Sequence, residues 1–263
     1  MAVLNLTPDS FSDGGRLNVH SAVERGLQLA VAGVALLDIG GESTRPGAQP
    51  IGVEEELARV LPVIERLARR VALPLSIDTT KAAVARAALA AGAALVNDTS
   101  ALVDDEALAG VVREAGAGVV LMHRLGTPLT MQQAPSYVDC AAEVAAALAE
   151  RARAALAAGI ARDAIVLDPG LGFGKRHEDN LDLVAALASL RSLGYPLLLG
   201  ASRKSFLGAL TGRAAPQRDA ATLATTAAAV AAGCELVRVH DAQGSIDVVR
   251  VLAALREPAG GAS

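Results

Sequence analysis

Polar residues follow eight short apolar runs of the chain, and their chemistry changes from one run to the next. The residues at or just after the ends of these runs are Asn5, Asp38, Asp78, Asn97, His123, Asp168, Ser202 to Lys204, and Arg238 with His240. A single aspartate in such a position is usually a helix cap or a turn former. Eight polar ends in succession are better explained by one shared pocket, because the carboxyl ends of parallel barrel strands converge at one mouth.

The segment LDPGLGFGK, residues 167–175, predicts a binding site for a flat ring. Its polar part begins with Asp168, and its glycines let the backbone approach a ligand closely. A buried carboxylate suits a fork of two N–H donors, such as the guanidine-like edge of a heterocycle. Asp78 and Asn97, expected on neighbouring strands, would complete the recognition of a ring rich in donors and acceptors. The GFG sequence alone indicates little, since glycine-rich loops have many uses.

Cationic side chains on three predicted loops indicate an anion site. Arg45 lies in GGESTRPG, Arg203 and Lys204 lie in GASRKSF, and Arg238 lies in VRVHD with His240. The loops after the seventh and eighth strands of an α/β barrel commonly bind phosphate, so a phosphate or pyrophosphate is expected there. The alternative is that Arg203 and Arg238 pair with acidic residues. Both interpretations stay open for Arg203, and the anion is favoured for Arg238.

The segment NLTPDSFSDGG predicts a polar loop around one aromatic residue, Phe11. Its composition is typical of a mobile, hydrogen-bonding loop, on which Phe11 could close over an aromatic substrate and exclude water. Asn5, at the start of the segment, is a neutral oxygen ligand suited to Mg²⁺, which binds substrate phosphates and keeps several waters. The sequence has no zinc-ligand spacing.

The elements that must position these residues alternate regularly along the chain. The apolar runs are AVLNL (2–6), ALLDIG (35–40), LPLSID (73–78), ALVND (94–98), GVVLMH (118–123), AIVLD (164–168), YPLLLG (195–200) and ELVRVH (235–240). Helical patterns such as VEEELARVLPVIERLARRV lie between them. This alternation predicts an α/β fold, a single (β/α)8 TIM barrel domain over residues 1–263. A doubly wound open sheet has the same alternation, and strand count alone does not exclude it.

Composition narrows the class of partner. Hydrophobic residues make up 52% of the chain and aromatic residues 2%, so the core must be built from Ala, Leu, Val and Ile. The net charge of −4, with no strongly basic stretch, makes nucleic acid an unexpected partner.

Cys140 and Cys234 have no metal or redox spacing and are expected to be buried small hydrophobes. No apolar run reaches membrane-spanning length and no signal peptide is seen, so a cytoplasmic protein is expected.

Seven motifs together resemble those of the dihydropteroate synthase family. In chain order they are NLTPDSFSDGG, DIGGESTRPGA, SIDTTK, NDTS, LDPGLGFGK, GASRKSFLG and VRVHD. The resemblance covers essentially the whole chain. It implies a (β/α)8 barrel that condenses 6-hydroxymethyl-7,8-dihydropterin pyrophosphate with p-aminobenzoate in folate biosynthesis, with Mg²⁺ as cofactor and no protein nucleophile. It also implies a homodimer formed through C-terminal helices, here those from Leu223 and Ile246 onward.

The resemblance implies roles for individual residues. The catalytic residues would be Asp78, Asp168, Lys204 and Arg238. The pterin pocket would also include Asn97, Met122 and Phe173, and Gly200 would be a further substrate-binding residue. The p-aminobenzoate pocket would comprise Thr44, Arg45, Pro46, Phe11 and Ser205. His240 and Arg238 would hold pyrophosphate, and Asn5 would bind it through Mg²⁺.

Three features depart from the family pattern. Only four residues precede Asn5, where the family usually has a segment that plugs the barrel bottom, so lower stability or solubility is expected. The segment LMHRLGTPLTMQ has Arg124 one place before the usual arginine, which leaves the role of that loop open. DTTKAAV lacks the usual proline after lysine, a change of little expected consequence because alanine favours helix.

Two other functions stay open as alternatives. A corrinoid-linked pterin-binding methyltransferase shares the barrel and the pterin-recognising Asp and Asn, but needs neither the STRPG loop nor the SRKSF loop. A non-catalytic pterin-binding paralogue would be expected to lack one of the reacting residues, and all are present. The uninterrupted ESTRPGA segment predicts that sulfonamides compete with p-aminobenzoate.

Overall fold

The computed structural model of the protein describes residues 1–7, 12–13 and 16–256. Eight strands form the barrel, one inside each predicted apolar run. They are β1 (Ala2–Asn5), β2 (Leu37–Gly40), β3 (Leu75–Asp78), β4 (Leu95–Asp98), β5 (Gly118–Met122), β6 (Ile165–Asp168), β7 (Leu198–Leu199) and β8 (Leu236–Val237). A short antiparallel pair, Ser12–Asp13 with Arg16–Leu17, lies between β1 and the first helix, where the sequence predicted only a loop.

The strands are parallel and the sheet closes on itself. Strands β1 to β6 pair in chain order, and β7 pairs with β8. Parallel bridges join Leu167 to Leu197 and Ala2 to Val239, linking β6 with the start of β7 and β1 with the end of β8. An open doubly wound sheet would leave two free edges, so the closure confirms the predicted barrel.

Helices surround the barrel and connect successive strands. They are α1 (Val19–Val31), α2 (Val53–Ala68), α3 (Ala82–Ala90), α4 (Leu108–Ala115), α5 (Cys140–Ala157), α6 (His177–Ala185), α7 (Leu187–Leu190), α8 (Ser205–Thr211), α9 (Asp219–Ala232) and α10 (Ala242–Arg256). Short 3₁₀ helices cover Arg162–Ala164, Arg191–Leu193 and Ala215–Gln217. Within the described residues, no helix is both long enough and apolar enough to cross a membrane.

Two apolar layers result from the alternation of side chains along each strand. In β5, Val119 and Leu121 pack in the large cluster beneath the helices, whereas Val120 belongs to a separate cluster. Residues of that second cluster and those packed against it are Met1, Leu36, Leu95, Val120, Val166, Leu198 and Leu236. Since side chains alternate with a period of two, this second cluster fills the barrel interior.

The same alternation turns the predicted polar residues into the barrel mouth. Side chains two residues after an interior apolar residue face the interior again. The residues so placed are Asp38, Asn97, Met122, Asp168, Gly200 and Arg238. The strand register adds Asn5 and Asp78 to this ring, because Gly40 of β2 pairs with Asn5 on one side and with Asp78 on the other.

The two cysteines differ in their burial. Cys140 is buried at the start of α5, as predicted, but Cys234 is only half-buried because it lies just after the C-terminal end of α9. Both are free thiols. Burial raises the pKa of each thiol to about 11, so neither is activated as a nucleophile.

Candidate active site

Side chains from three parts of the barrel mouth meet around Gly200, the residue that follows β7. A Cβ atom placed there would lie 3.8 Å from Oδ2 of Asp168, 3.9 Å from Nζ of Lys204 and 3.9 Å from Cβ of Arg238. Gly200 is itself buried. Because Gly200 has no side chain, the Asp168 carboxylate and the Lys204 ammonium group both come close to the backbone at this point of the mouth, an arrangement that suits a small polar ligand.

Asp168 ends β6, and its buried carboxylate is fixed in orientation. Its Oδ1 accepts a 2.7 Å hydrogen bond from the backbone N–H of Gly170, and its Oδ2 borders the space above Gly200. Burial raises the pKa of Asp168, while the ammonium group of Lys204 and the Gly170 N–H oppose the rise. A poorly solvated carboxylate held this way makes strong hydrogen bonds to N–H donors of a ligand.

Gly170 lets the loop after β6 lie directly against the end of β5. Its φ is 68°, and a Cβ atom there would be 1.9 Å from the carbonyl oxygen of His123. No other residue type fits this position without moving the backbone. The loop that contains Phe173 is therefore seated on β5 by direct backbone contact.

Lys204 links the loops after β6 and β7. Its ammonium group donates a hydrogen bond to the carbonyl oxygen of Leu171 and lies 4.6 Å from the ring centre of Phe173. Burial lowers the pKa of Lys204 to about 8, partly offset by the negative charge of Asp168. Lys204 thus holds the Phe173 ring at the barrel mouth through a cation–π contact. With a pKa of about 8, it keeps most of its positive charge at neutral pH.

Arg238 lies between two buried carboxylates on the opposite side of the mouth. Its Nε donates to Oδ2 of Asp38 at 2.6 Å, and its Nη2 donates to Oδ2 of Asp78 at 2.7 Å. Asn97 donates from Nδ2 to the same Asp38 oxygen at 3.1 Å. The predicted site residues Asp78, Asn97 and Arg238 thus form one network, with Asp38 at its centre.

The network adds two points to the sequence interpretation. Arg238, predicted to bind an anion, pairs in this structure with both carboxylates, because they are buried and need a counter-ion. Asp38 was noted only as a strand end and not as a site residue. Its position two residues after the interior Leu36, the same offset as in Asp168 after Val166, is a signal that could have identified it.

One guanidinium group pairs with two carboxylates, and their charges affect the pKa of Asp78 and of Arg238. Burial raises the pKa of Asp78 to about 7, and the negative charge of Asp38 adds to the rise while Arg238 opposes it. The pKa of Arg238 is raised by Asp38 and Asp78 even though burial alone would lower it. Asp78 therefore exchanges its proton close to neutral pH.

Arg203 pairs with an acidic residue, which is one of the two interpretations that the sequence left open. Its guanidinium group pairs with the carboxylate of Asp219 through contacts of 2.7 and 2.9 Å, and its backbone N–H donates to Thr222. Its φ of 59° is the left-handed conformation, which turns the chain into α8 at Lys204. Arg203 fastens the loop after β7 to the start of α9.

His240 lies where several positive charges converge. Its Nδ1 is 2.9 Å from Oγ of Ser202. Burial, together with the positive charges of Arg238, Arg203 and Arg45, lowers the pKa of His240 to about 4. These cations come from the loops after β2, β7 and β8. Their convergence on a neutral imidazole is suited to an anion with several oxygens.

The loop after β2 is closed at its base by Glu42. One carboxylate oxygen, Oε2, accepts the backbone N–H of Ile51 at 2.9 Å and the ammonium group of Lys81 at 2.6 Å. The same ammonium group contacts the fully buried Glu56 at 2.6 Å. These contacts hold the two ends of the loop together, so its tip projects from a fixed base.

The loop tip contains the residues predicted for p-aminobenzoate. Thr44 is half-buried, and Arg45 and Pro46 are exposed. The N–H of Ala48 donates to the carbonyl oxygen of Arg45 at 3.0 Å, with Gly47 at φ 79°, which is a tight turn that requires glycine. Ser205 is exposed at the start of α8. Phe11 lies outside the described residues.

Asn5 ends β1 beside the carboxylates. A Cβ atom on Gly40 would lie 3.7 Å from Oδ1 of Asn5 and 3.6 Å from Oδ2 of Asp78. An amide oxygen at this position fits Mg²⁺ as one hard ligand. Among the described residues, no group of three or more His, Cys, Asp or Glu side chains could hold a metal ion. Asn5 would therefore supply one ligand to Mg²⁺, and substrate phosphate oxygens and water would supply the others.

The chain is similar to known proteins over almost its whole length. Residues 1–240 match the family model described as pterin binding enzyme. The dihydropteroate synthase of Escherichia coli strain K12 is 43% identical over 255 residues, covering 97% of this chain and 90% of that protein. The dihydropteroate synthase of Mycobacterium leprae strain TN is 46% identical over 262 residues, covering 97% and 92%. The chain belongs to the dihydropteroate synthase family.

Solved structures of dihydropteroate synthases have the same fold. The Xanthomonas albilineans enzyme with 4-aminobenzoic acid has a TM-score of 0.92 and 49% identity, covering 98% of this chain and 92% of that one. The Yersinia pestis enzyme in complex with a sulfonamide drug has a TM-score of 0.93 and 41% identity, covering 97% and 93%. The Xanthomonas enzyme with 7,8-dihydropteroate has a TM-score of 0.88 and 46% identity, covering 98% and 93%.

Lys175 is a buried residue of this dihydropteroate synthase fold that the sequence interpretation missed. Its ammonium nitrogen is 2.9 Å from Nδ1 of His123 and 3.1 Å from the carbonyl oxygen of Phe173. Burial lowers the pKa of Lys175 to about 7, and it lowers the pKa of His123 to about 3. The position of Lys175 as the last residue of LDPGLGFGK was visible, but its inward direction was not.

Lys175 is expected to make stability depend on pH. Its pKa is near 10.4 in the unfolded chain and about 7 in the fold, so between these values the unfolded state binds more protons and stability rises with pH. Unfolding by urea at pH 7, 8 and 9 should show that the wild-type protein gains stability relative to Lys175→Met, by about 1.0 kcal/mol from pH 7 to 8 and about 1.3 kcal/mol from pH 8 to 9. Arg86→Met, on the surface, is the control and should show no such slope. A constant difference between wild type and Lys175→Met would mean that the amine is charged throughout.

Proposed function

We propose that this protein condenses 6-hydroxymethyl-7,8-dihydropterin pyrophosphate with p-aminobenzoate, giving 7,8-dihydropteroate and pyrophosphate. The observation that carries the proposal is the convergence of Asp168, Lys204 and Arg238 around Gly200. The Asp168 carboxylate, which can accept N–H donors, lies there beside the Lys204 ammonium group and the stem of Arg238, which matches a flat, donor-rich ring joined to a pyrophosphate. Membership of the dihydropteroate synthase family and the ligands named for its solved members support it.

The pterin ring would bind in the open space above Gly200. Oδ2 of Asp168 would accept the N–H donors at one edge of the ring, since Oδ1 already accepts the Gly170 N–H. Asn97 and Asp78 would bind the opposite edge from β4 and β3. The half-buried Phe173 ring and the buried Met122 side chain would contact its faces.

The pyrophosphate would lie toward His240 and the cations around it. The bound anion would pair with Arg238 in addition to its carboxylate partners. Its negative charge would also raise the pKa of His240 and so favour the protonated imidazole. Bound Mg²⁺ would add positive charge at the pyrophosphate oxygens, with Asn5 as its protein ligand. We assign Arg238 and His240 as pyrophosphate-binding groups on the charge arrangement described above.

The chain's own groups then favour separation of charge in the substrate. Breaking the C–O bond at the pterin methylene sends the bonding electron pair to pyrophosphate and leaves a resonance-stabilised cation. Asp78 and Asp168 stabilise that cation, and Arg238 stabilises the leaving anion. The amine of p-aminobenzoate attacks the methylene carbon and loses a proton. Thr44, Arg45, Pro46, Phe11 and Ser205 are proposed to form the p-aminobenzoate pocket.

The experiment that tests this proposal is a product assay with purified protein. Pyrophosphate and dihydropteroate are measured with the pterin pyrophosphate and Mg²⁺, in the presence and absence of p-aminobenzoate. Equal amounts of both products, formed only with p-aminobenzoate, are expected from wild type and from the surface variant Arg86→Met. Saturable pterin binding without turnover would favour a non-catalytic pterin-binding protein. Methyl transfer to a corrinoid would favour the alternative enzyme.

Sulfonamides are expected to compete with p-aminobenzoate. The relative from Yersinia pestis was solved with a sulfonamide drug, and the loop from Glu42 to Ile51 has no insertion relative to the family pattern that the sequence resembles. Initial rates at several p-aminobenzoate concentrations should give a sulfonamide inhibition that raises the KM for p-aminobenzoate and leaves kcat unchanged. Inhibition that lowers kcat and cannot be overcome by p-aminobenzoate would place the drug elsewhere.

Pyrophosphate binding is expected to take up a proton at His240. The pKa of His240 is lowered to about 4 by burial and neighbouring cations, and an anion bound among them raises it. At pH 6 the imidazole should pass from neutral to charged on binding. Calorimetry in two buffers of different ionisation enthalpy measures this uptake, and His240→Asn should abolish it. Equal heats in both buffers for the wild type would rule out His240 as the proton acceptor.

Oligomeric state and location are proposed separately. We infer a homodimer through the C-terminal helices, because α10 exposes the apolar residues Val249, Val251 and Leu255. We also propose that residues 1–263 form one domain, since β1 to β8 close one barrel. The cytoplasmic location predicted from the sequence stays a prediction. Sedimentation of the purified protein tests the dimer.

A further inference from the structure

The loop between β5 and α5, residues 123–139, is the part of the barrel mouth whose role the sequence left open. It contains Arg124, whose guanidinium group is largely buried, with 7% of the side chain exposed. Nη2 of Arg124 donates to both carboxylate oxygens of Asp104, at 2.5 and 2.7 Å, and Nε donates to the carbonyl oxygen of Gly126 at 2.9 Å. Arg124 therefore fastens this loop to the neighbouring connection between β4 and α4.

The loop is internally rigid beyond this anchor. The N–H of Met131 donates to the carbonyl oxygen of Thr127 at 2.7 Å, and the N–H of Thr127 donates to Oγ1 of Thr130 at 3.1 Å. The Met131 side chain is 2% exposed. Gly126 has a φ of 74°, and a Cβ atom there would lie 2.9 Å from Oγ1 of Thr130. A loop tied at several points moves as one body rather than residue by residue.

One side of the loop holds the proposed p-aminobenzoate loop. The backbone N–H of Gly47 donates to the carbonyl oxygen of Pro128 at 2.9 Å. Gly47 belongs to the tight turn that begins at Arg45, so this bond sets the position of the turn. Glu42 fixes the base of the loop that contains this turn. The Pro128 contact is separate from that base and lies near the tip of the loop.

The other side of the loop holds the proposed pterin loop. Nε2 of Gln132 donates to the carbonyl oxygen of Gly172 at 2.8 Å. Gly174 packs so closely that a Cβ atom on it would lie 2.6 Å from Cβ of Leu125. Gly172 precedes Phe173, whose ring is held beneath Lys204. The two substrate-binding loops are thus joined through one rigid body.

We propose that Arg124 is a positioning residue that holds residues 124–132 as a rigid bridge between the p-aminobenzoate loop and the pterin loop. The inference rests on the proposed function, which makes these two loops the walls of the two substrate sites. Because both walls are bonded to one body, displacement of that body weakens both sites and the coupling between them. Arg124 touches neither substrate and acts only through the Pro128 and Gln132 contacts.

Four variants test the bridge. Arg124→Met removes the anchor, and Arg124→Lys keeps the charge but cannot bond Asp104 and the Gly126 carbonyl with the fixed geometry of a guanidinium group. The double variant Arg124→Asp with Asp104→Arg restores an ion pair in reverse. Arg86→Met is the matched control, because it breaks the ion pair of Arg86 with Glu114, whose side chains are 63% and 54% exposed.

Two measurements separate positioning from general stability. Steady-state kinetics should show that Arg124→Met raises the KM for p-aminobenzoate roughly tenfold, within the usual range of site coupling, while kcat falls much less. The KM for the pterin pyrophosphate should rise as well, by a smaller factor. Arg124→Lys and the reversed pair should recover part of the loss. Amide hydrogen exchange in the ligand-free protein should show faster exchange at Gly47 in Arg124→Met and not in Arg86→Met.

Gln132→Met supplies the contrast between the two sides. It removes only the bond to Gly172, so it should raise the KM for the pterin pyrophosphate and leave exchange at Gly47 unchanged. Unchanged KM values and unchanged Gly47 exchange in Arg124→Met would overturn the proposal. So would a loss that the reversed pair does not recover when the proteins have equal melting temperatures.

The outcome for the bridge is distinguishable from the outcome for the proposed reaction. If wild type forms no dihydropteroate while Gly47 exchange still accelerates in Arg124→Met, the anchoring stands and the reaction assignment fails. If dihydropteroate forms and Arg124→Met matches wild type in both measurements, the reaction stands and the bridge fails.

Discussion

Arg238→Met is expected to lower the free energy of unfolding by about 3–5 kcal/mol at pH 8, the usual cost of removing one partner from a buried ion pair. The variant leaves Asp38 and Asp78 buried without a counter-ion, and Asp38 is fully buried. Methionine can fill much of the volume of the arginine stem, so the loss is mainly electrostatic. Urea unfolding of wild type and variant measures it directly.

The dependence of this loss on pH identifies its cause. Without Arg238 the pKa of Asp78, already raised by burial, rises further, so the folded state binds more protons than the unfolded chain between about pH 4 and the folded pKa. Stability of the variant therefore falls as pH rises through that range, and the deficit at pH 5 is smaller than at pH 8.

Adding Asp38→Asn to Arg238→Met removes one buried charge and should recover part of the stability. Equal stability of wild type and Arg238→Met at pH 8 would show that both carboxylates are solvated. The surface variant Arg86→Met should change stability by less than about 1 kcal/mol, as expected for an exposed ion pair.

Asp168→Asn is expected to lower kcat/KM for the pterin pyrophosphate by roughly 10⁴-fold, the lower end of the rejection of a mispaired group by a buried polar site. The amide places an N–H₂ group where the carboxylate accepts two donors, or turns its oxygen away from Gly170. It also removes the negative charge that stabilises the cation in the proposed reaction. Pyrophosphate release at saturating p-aminobenzoate measures the loss.

The fold should survive this substitution, because the amide oxygen can still accept the N–H of Gly170. Melting temperature is therefore expected to change little, and the KM for p-aminobenzoate to stay within a few-fold of wild type. Asp163→Asn, exposed on the Arg162–Ala164 3₁₀ helix, is the matched control and should retain full activity. Near-normal turnover by Asp168→Asn would move the pterin ring to another part of the mouth.

The barrel and most of the mouth residues were predictable because local pattern determines them. Apolar runs that alternate with helical segments indicate parallel strands, and the closing bridges from Ala2 and Leu167 confirm the expected ring. The period of two along each strand places Asp168 and Asn97 inside once Val166 and Leu95 are known to be inside.

The partners of these residues were not predictable in the same way. The pairing of Arg238 with Asp38 joins residues 200 positions apart and depends on how strands meet across the barrel. The inward direction of Lys175 depends on the left-handed backbone of Gly172 and Gly174. The link between Gly47 and Pro128 is a backbone contact that no side-chain type indicates.

Side chains alternate along β6 with a period of two, so that Val166 lies in the barrel interior and Asp168 lies above it at the mouth. This alternation also limits how the strand can vary in length. Insertion or deletion of one residue within Ile165–Asp168 would exchange the inner and outer faces of the strand beyond that point. The carboxylate would then face the apolar layer beneath the helices, and Leu167 would face the mouth. Loops such as residues 41–52 can change in length without this exchange, so functional diversity among such barrels is expected in loop length and composition, while strand length stays fixed.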